Sequence, residues 1–296
     1  MQRREHYFIL AFLASQACGG RIEIDGLNPI ALAEGGTAST GGKASTGGNQ
    51  ATGCTGSFEM IHSGTGLCVA KTVAISGPVA NSDYDIDVTE VTKGQYDAWL
   101  ATNPALPPST DTNCGYVASY AEQGTEGVYA GVDADHHPAV FVDWCDANAY
   151  CAAAGKRLCG AIRGGSNDYA SHEDASKSQW YRACSSGGMY TYPYGNTYQA
   201  SSCNGYDYWN DDSRHTLAVG SLASCVTTVA GYAGAYDLSG NVFEWEDSCV
   251  GTSQSAYCHI RGGAFGYDSS NLTCGGGGNY VRMVVGYGIG FRCCSP

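Results

Sequence analysis

The chain has 296 residues, of which 43% are hydrophobic and only 15% charged, and it carries a formal net charge of -13. That length allows one large domain or two small ones with a sizeable core. The acidity excludes the basic footprint of a nucleic-acid-binding protein and repels anionic lipid surfaces, while it suits hard cations such as Ca²⁺ that take oxygen ligands.

In chain order, the first feature is a targeting signal. Arg3 and Arg4 precede a short apolar run, Tyr7 to Ala14, followed by small residues ending at Ala17 and Cys18. The run falls short of the ~18 residues of a membrane span, as in a signal peptide. Leu13-Ala14-Ser15-Gln16-Ala17-Cys18 resembles a bacterial lipoprotein box, which would make Cys18 a lipidated N-terminus on an outer or cell-surface membrane. Ordinary cleavage near Ala17, giving a secreted or periplasmic protein, is the alternative.

Fifteen cysteines leave an even 14 once Cys18 is set aside. In an exported chain that number predicts disulfides, and no Cys-x-x-Cys pair marks a zinc site. Residues 19 to 56 hold the near-repeats around Gly35-Gly36-Thr37 and Gly41-Gly42, and read as a disordered tether. Such a stretch buries too little apolar surface to offset its ordering entropy. The domain then runs over 57–296.

Asp83 to Val91 alternates and is rich in β-branched residues, which predicts a strand. Thr92 and Gln95 form a capping box for a helix through Tyr96, Trp99 and Leu100, closed by Asn103 to Pro108. Val140-Phe141-Val142 reads as a short buried strand. Asp143 caps a helix over Trp144 to Ala154 with Gly155 as its stop. Trp144, Ala147, Cys151 and Ala154 share one face and belong to the core. Ala175 to Cys184 is a further helix. Beyond it, Gly and Tyr punctuate few and short strands, so the last 110 or so residues are expected to be irregular and pinned by disulfides. The Gly275 to Gly278 run lacks a following Lys-Ser/Thr and reads as a surface loop. No nucleophile elbow, His-Glu-x-x-His or phosphate loop is present.

Four blocks stand in order: His137-Pro138-Ala139-Val140 with Val142-Asp143-Trp144 through Leu158; Tyr192-Pro193-Tyr194-Gly195-Asn196; Tyr236-Asp237-Leu238-Ser239-Gly240-Asn241-Val242-Phe243-Glu244-Trp245; and Arg261-Gly262-Gly263-Ala264-Phe265, closing with Gly290-Phe291-Arg292-Cys293. Together they resemble the formylglycine-generating enzyme (sulfatase-modifying factor) family. The resemblance implies an α+β, irregular, C-type-lectin-like fold with little regular secondary structure. It implies a Ca²⁺ site at the Asp237 and Glu244 side chains and the Gly240 and Val242 carbonyls, with a weaker second site beginning at Asn204. On spacing alone, Asp237 and Glu244 are better explained as turn caps. The resemblance also implies a Cys151–Cys293 disulfide and a bonded Cys184, for which Cys274 is the available partner; Cys249 and Cys258 frame a short loop and could pair locally. Cys145 and Cys159 lie outside the family pattern.

Active members oxidise a substrate cysteine with O₂ at copper held by two thiols shortly after Arg-Gly-Gly. The matching positions here are Tyr267 and Leu272, neither a Cu(I) ligand, with Cys274 the nearest thiol. Copper is therefore not expected. Iron-using relatives hold their metal through histidines; His172-Glu173-Asp174 with His215 or His259 is the one candidate set, inside a Cys159 to Lys177 stretch foreign to the family, and iron is not expected either. His136-His137 reads as a turn or solvated pair. Two functions follow: a catalytically degenerate domain binding a ligand or partner, peptide or sugar, through its tyrosine-rich end; or an oxidoreductase of the formylglycine-generating type, or a non-haem iron relative, oxidising a protein or small-molecule thiol.

Overall fold

The computed structural model describes residues 54, 56–122, 133–209 and 213–295, and the backbone of Ile22–Glu23. The signal and lipobox reading, Cys18 included, lies outside the described residues, as does nearly all of the expected tether.

The elements run β1 (Ile22–Glu23), β2 (Glu59–Ile61), β3 (Cys68–Ala70), β4 (Thr72–Ile75), β5 (Tyr84–Asp87), α1 (Lys93–Leu100), α2 (Trp144–Ala153), β6 (Arg157–Leu158), α3 (Gln179–Cys184), β7 (Phe243–Cys249), β8 (Tyr257–Arg261), β9 (Gly277–Val281), β10 (Val284–Val285), β11 (Ile289–Gly290) and β12 (Cys293–Ser295). Two four-stranded sheets carry the architecture, in the orders β4-β5-β12-β6 and β11-β7-β8-β9. Hairpin β2-β3 and the parallel pair β1-β10 complete it.

Both capping boxes form. Thr92 accepts from Gln95 N while the Gln95 side chain accepts from Thr92 N, and Asp143 and Asp146 repeat the exchange at α2. Each box satisfies two N–H groups that a helix start leaves orphaned. Gly155, at φ +70°, ends the second helix in the left-handed conformation that suits glycine. Helix α3 is shorter than its sequence suggested. Ser178, not a residue near 175, caps Tyr181 N, because Asp174 and Ser176 are engaged in a turn of their own.

Two further expectations need correcting. Val140-Phe141-Val142 is buried but is not a strand: Phe141 sits at φ +57° and its N–H reaches Gly286 O, a kink that delivers Asp143 to its cap. The C-terminal region is more regular than expected. Strand β7 spans seven residues and is the longest among the described residues, and Gly277–Gly278 pair with Arg261 and Ile260 rather than forming a loop. Acidic residues in Phe243-Glu244-Trp245-Glu246 hid the strand, since nearly all of its positions are buried and the carboxylates are met by arginines.

One core cluster joins α1 and α2 to the β7-β8 sheet, with Tyr96, Trp99, Tyr150 and Phe291 meeting at centroid distances of 5.2 to 6.2 Å. Such tilted and edge contacts add to the area term. A second cluster sets Trp180 among Ile75, Tyr84, Ile86 and Leu238. Seven disulfides cross-link the whole: 54–68, 114–145, 151–293, 159–294, 184–274, 203–225 and 249–258. They account for every cysteine among the described residues and place folding in an oxidising, extracytoplasmic environment. No helix among the described residues is long and apolar enough to cross a membrane.

Candidate functional site

Strand β8 ends in Arg261, and Gly262 and Gly263 turn the chain with φ of +86° and +77°. The turn carries the two positions that decide the chemistry. Tyr267 is half-buried edge-on against Phe243, with centroids 4.7 Å apart, and its N–H closes on Ala264 O. Burial and the nearby Tyr280 and Tyr287 push its phenol further up, so it stays neutral at physiological pH. Leu272 is fully buried, and a Cβ at Gly205 would fall 2.2 Å from its Cδ1. The leucine thus fills its space outright, and the main chain across from it has room only for glycine. Cys274 is bonded to Cys184, while Arg261 Nη2 donates to Cys274 O at 2.8 Å. A neutral phenol, a packed leucine and a closed disulfide offer no soft thiolate for Cu(I).

The Asp237 to Glu244 turn lies alongside. Asp237 and Asn241 take positive φ, 56° and 59°. Asp237 Oδ2 accepts from Gly220 N at 2.6 Å. Glu244, fully buried, gives Oε2 to Arg292 Nε at 2.7 Å and Trp180 Nε1 at 2.8 Å, and Oε1 to Arg292 Nη2 at 2.8 Å. Held bidentately by a guanidinium, Glu244 is the counterion of Arg292 in this structure. Asn204 is also taken up: Oδ1 accepts from Trp209 Nε1, Nδ2 donates to His215 O and Asn241 Oδ1, and its carbonyl accepts from Asn241 N.

A residue that sequence reasoning missed completes the cluster. Glu90 is fully buried; its Oε1 accepts from Asn241 Nδ2 at 3.0 Å and its Oε2 has no hydrogen-bond partner. Its carboxyl and that of Asp237 are within hydrogen-bonding reach. Burial raises Glu90 well above the usual carboxylate range, and the Asp237 and Glu244 charges add to this. Burial likewise pushes Asp237 up to about 6. Thr89-Glu90-Val91, a carboxylate between β-branched residues at the end of a strand pattern, was the available signal. Glu90 and Asp237 thus place two buried carboxyls side by side, next to the Arg292–Glu244 pair.

The iron candidates do not assemble. His172 stacks on His259 with centroids 3.8 Å apart, and His259 stacks on Tyr169 at 4.1 Å. His172 Nδ1 and His259 Nε2 both face Tyr169 O, at 3.0 and 3.1 Å. Asp174 turns to Ser176, and His215 lies against Trp209 beside Asn204. The rings pin the Cys159 to Lys177 stretch onto β8. Of the His136-His137 pair, His136 pairs with Asp133 at 2.9 Å, while His137 is buried with Nδ1 2.8 Å from Thr216 Oγ1.

Comparison with known proteins agrees with the four sequence blocks. Residues 40–295 match the model of the sulfatase-modifying factor enzyme 1-like domain. A curated relative, the serine/threonine-protein kinase Pkn1 of Chlamydia trachomatis, is 27% identical over 174 residues, covering 53% of this chain and 24% of that protein. The chain therefore spans about a quarter of that relative's length. Similar solved structures are PvdO from Pseudomonas aeruginosa, at 22% identity and a TM-score of 0.47 over 80% of this chain and 97% of that one, and Treponema denticola variable protein 1, at 17% and 0.48 over 80% and 98%. CarF follows at 20% and 0.46, over 72% and 86%. With a domain match over most of its length and an irregular, disulfide-rich α+β architecture, the chain belongs to the sulfatase-modifying factor enzyme 1-like (formylglycine-generating enzyme) family.

Proposed function

We propose that this chain is an exported, lipid-anchored member of the family that binds a ligand or partner and does not generate formylglycine. The state of its sulfur carries the reading. Tyr267 and Leu272 stand at the thiol positions, and Cys274, the nearest sulfur, is bonded to Cys184. Copper-dependent oxidation of a substrate cysteine needs a thiolate pair to hold Cu(I) while O₂ is reduced, and every cysteine among the described residues is already in a disulfide. The face beside the turn suits recognition instead. Tyr206 is 44% exposed, Arg214 lies over its ring at 4.2 Å, and half-buried Tyr267 and Tyr287 are close by. Aromatic faces with polar tips suit a sugar or a peptide.

The test is a Cu(I) titration of the purified protein joined to turnover of a cysteine-containing sulfatase peptide. The expected result is neither stoichiometric copper binding nor turnover. Copper-dependent turnover that disappears in Cys274→Ala would falsify the proposal. For the anchor, labelled palmitate should enter the parent protein and not Cys18→Ser; incorporation that survives the substitution removes the lipobox reading.

We further infer a calcium site in which Asp237 and Glu90 supply the charge, with the Gly240 and Val242 carbonyls as the family resemblance implies. Calcium there would neutralise two buried carboxylates and stabilise the fold by mass action. Support comes from the two buried carboxyls of Glu90 and Asp237, which lie within hydrogen-bonding reach of each other.

A further inference from the structure

A cavity of about 270 Å³ lies between stretches far apart in sequence, residues 56–59, 89–95, 133–136 and 218–219, and shares no lining residue with the Tyr267 turn. Its walls are fixed. Glu59, at the start of β2, accepts from Gly56 N at 2.8 Å and from Gln95 Nε2 at 3.2 Å. Gln95 is itself locked by the α1 capping box. Phe58 forms another wall, against Tyr236 at 5.1 Å, and a Cβ at Gly220 would fall 2.3 Å from its ring. The Cys54–Cys68 disulfide braces the Glu59 side, its sulfurs within 4.8 Å of the carboxyl. Because those sulfurs are bonded to each other, the trio offers no thiolate to a metal.

The opposite wall carries His136, whose Nδ1 is 2.9 Å from Asp133 Oδ1. Counting Glu59, Asp133 and a charged His136, the lining keeps one net negative charge, and two when the imidazole is neutral. Donors are scarce. In the first turn of α1, Gln95 N is given to Thr92 and Lys93 N to His137 O, and Thr89 Oγ1 donates to Glu90 O. Each Glu59 oxygen accepts only one of these bonds, so acceptor capacity remains. Such a lining disfavours an anion and calls for a ligand that brings donors and positive charge. A hard metal would want six or more oxygens, which one carboxylate already accepting two hydrogen bonds and one held by histidine do not supply. Phe58, Ala218 and Val219 add carbon surface, and a phenyl face attracts an alkylammonium head. At ~30 Å³ per water the volume is that of about nine water molecules, the size of a small amine.

We propose that this cavity binds a small organic ammonium ion, seated on Glu59 and Asp133, with its carbon skeleton against Phe58 and Val219. The site is separate from the Tyr267 face, so the two readings stand or fall independently. The experiment is isothermal titration of the full chain with a panel of primary amines of up to about nine non-hydrogen atoms, led by 1,4-diaminobutane, with 1,4-butanediol as the uncharged control. Saturable one-to-one binding of at least one amine and none of the diol is expected. Glu59→Gln should weaken it at least tenfold and Asp133→Asn less, while Tyr267→Ala leaves it unchanged. Should Glu59→Gln fold poorly, Ser57→Trp on the exposed lip fills the mouth without touching the Glu59 bonds, and should abolish binding in a protein with parental melting. No saturable amine binding below about 10 mM, equal binding of the diol, or binding indifferent to Ser57→Trp would overturn the proposal.

Discussion

Strand β7 sends two glutamates, two residues apart, into the interior, and each meets an arginine. Around Arg292 the fit is complete: Glu244 receives Nε and Nη2, and the remaining guanidinium bonds go to Asp87 O and Tyr236 O. Around Arg261 it is loose: Nε stands 3.7 Å from Glu246 Oε2, and neither atom has a hydrogen-bond partner. Ser178 takes Glu246 Oε1, and the Arg261 guanidinium spreads over Trp180 at 5.3 Å. The same two residue types at the same depth give a closed ion pair in one place and a half-paired one in the other. Bond geometry decides whether a buried pair offsets its desolvation, and the looser pair leaves Glu246 pushed by burial up to about 7.

The largest break in this contrast is Glu244→Ala. It strands Arg292 in the core and should cost about 3–5 kcal/mol, with or without chelator, as read by urea unfolding. Next comes calcium. Chelation should lower the parent's melting temperature, a loss of about 2.7 kcal/mol if the ion was present at a hundredfold over its Kd. That difference should vanish in Asp237→Asn and Glu90→Gln yet persist in Glu244→Asp. If chelator leaves the parent unmoved, the two carboxyls hold a shared proton instead.

The Arg261 side gives a smaller, pH-dependent effect. Glu246 has its ordinary value at 4.5 and is raised to about 7 in the fold, so the folded state keeps its proton longer. That stabilisation is full below about 4.5 and is lost as pH rises through 7. Relative to the parent, Glu246→Gln should gain about 2.5 kcal/mol between pH 5 and pH 8; equal curves would show that Arg261 already holds the ionised form.

The smallest effect lies at His259, lowered by burial and by His172 to about 4 from an ordinary 6.5. Its contribution is present above pH 6.5 and lost as pH falls through 4. Amide exchange across residues 160–177 should quicken at pH 4.5 in the parent, and less so in His259→Gln.

Much of the frame was legible in the sequence because it rests on local rules. Thr92 with Gln95 and Asp143 followed by an apolar helical face need no tertiary information. The blocks around Arg261 and Gly290 identified the family for a similar reason, since turns that depend on glycine leave a mark in the chain. What stayed hidden depends on partners far away. Strand β7 buries two carboxylates that only Arg292 and Arg261, brought in by the fold, meet in the interior. The role of Glu244 could not be separated from that of Glu90 by spacing, because they stand 154 residues apart and only the fold shows which of the two Arg292 occupies. The cavity at Glu59 draws on four distant stretches, none of which carries a motif.

The paired cysteines at 293 and 294 bear on the order in which the protein can mature. They reach back 142 residues to Cys151 and 135 to Cys159, fastening β12 to α2 and to the end of β6. A chain made and threaded N-terminus first can close its local bridges, 203–225 or 249–258, while still emerging. These two must wait until almost the whole domain has passed. Until then Cys151 and Cys159 must stay unpaired, or any other bond they form must be undone. Completion of the domain is what allows them to close: a product ending between residues 160 and 292 lacks the partners of both Cys151 and Cys159.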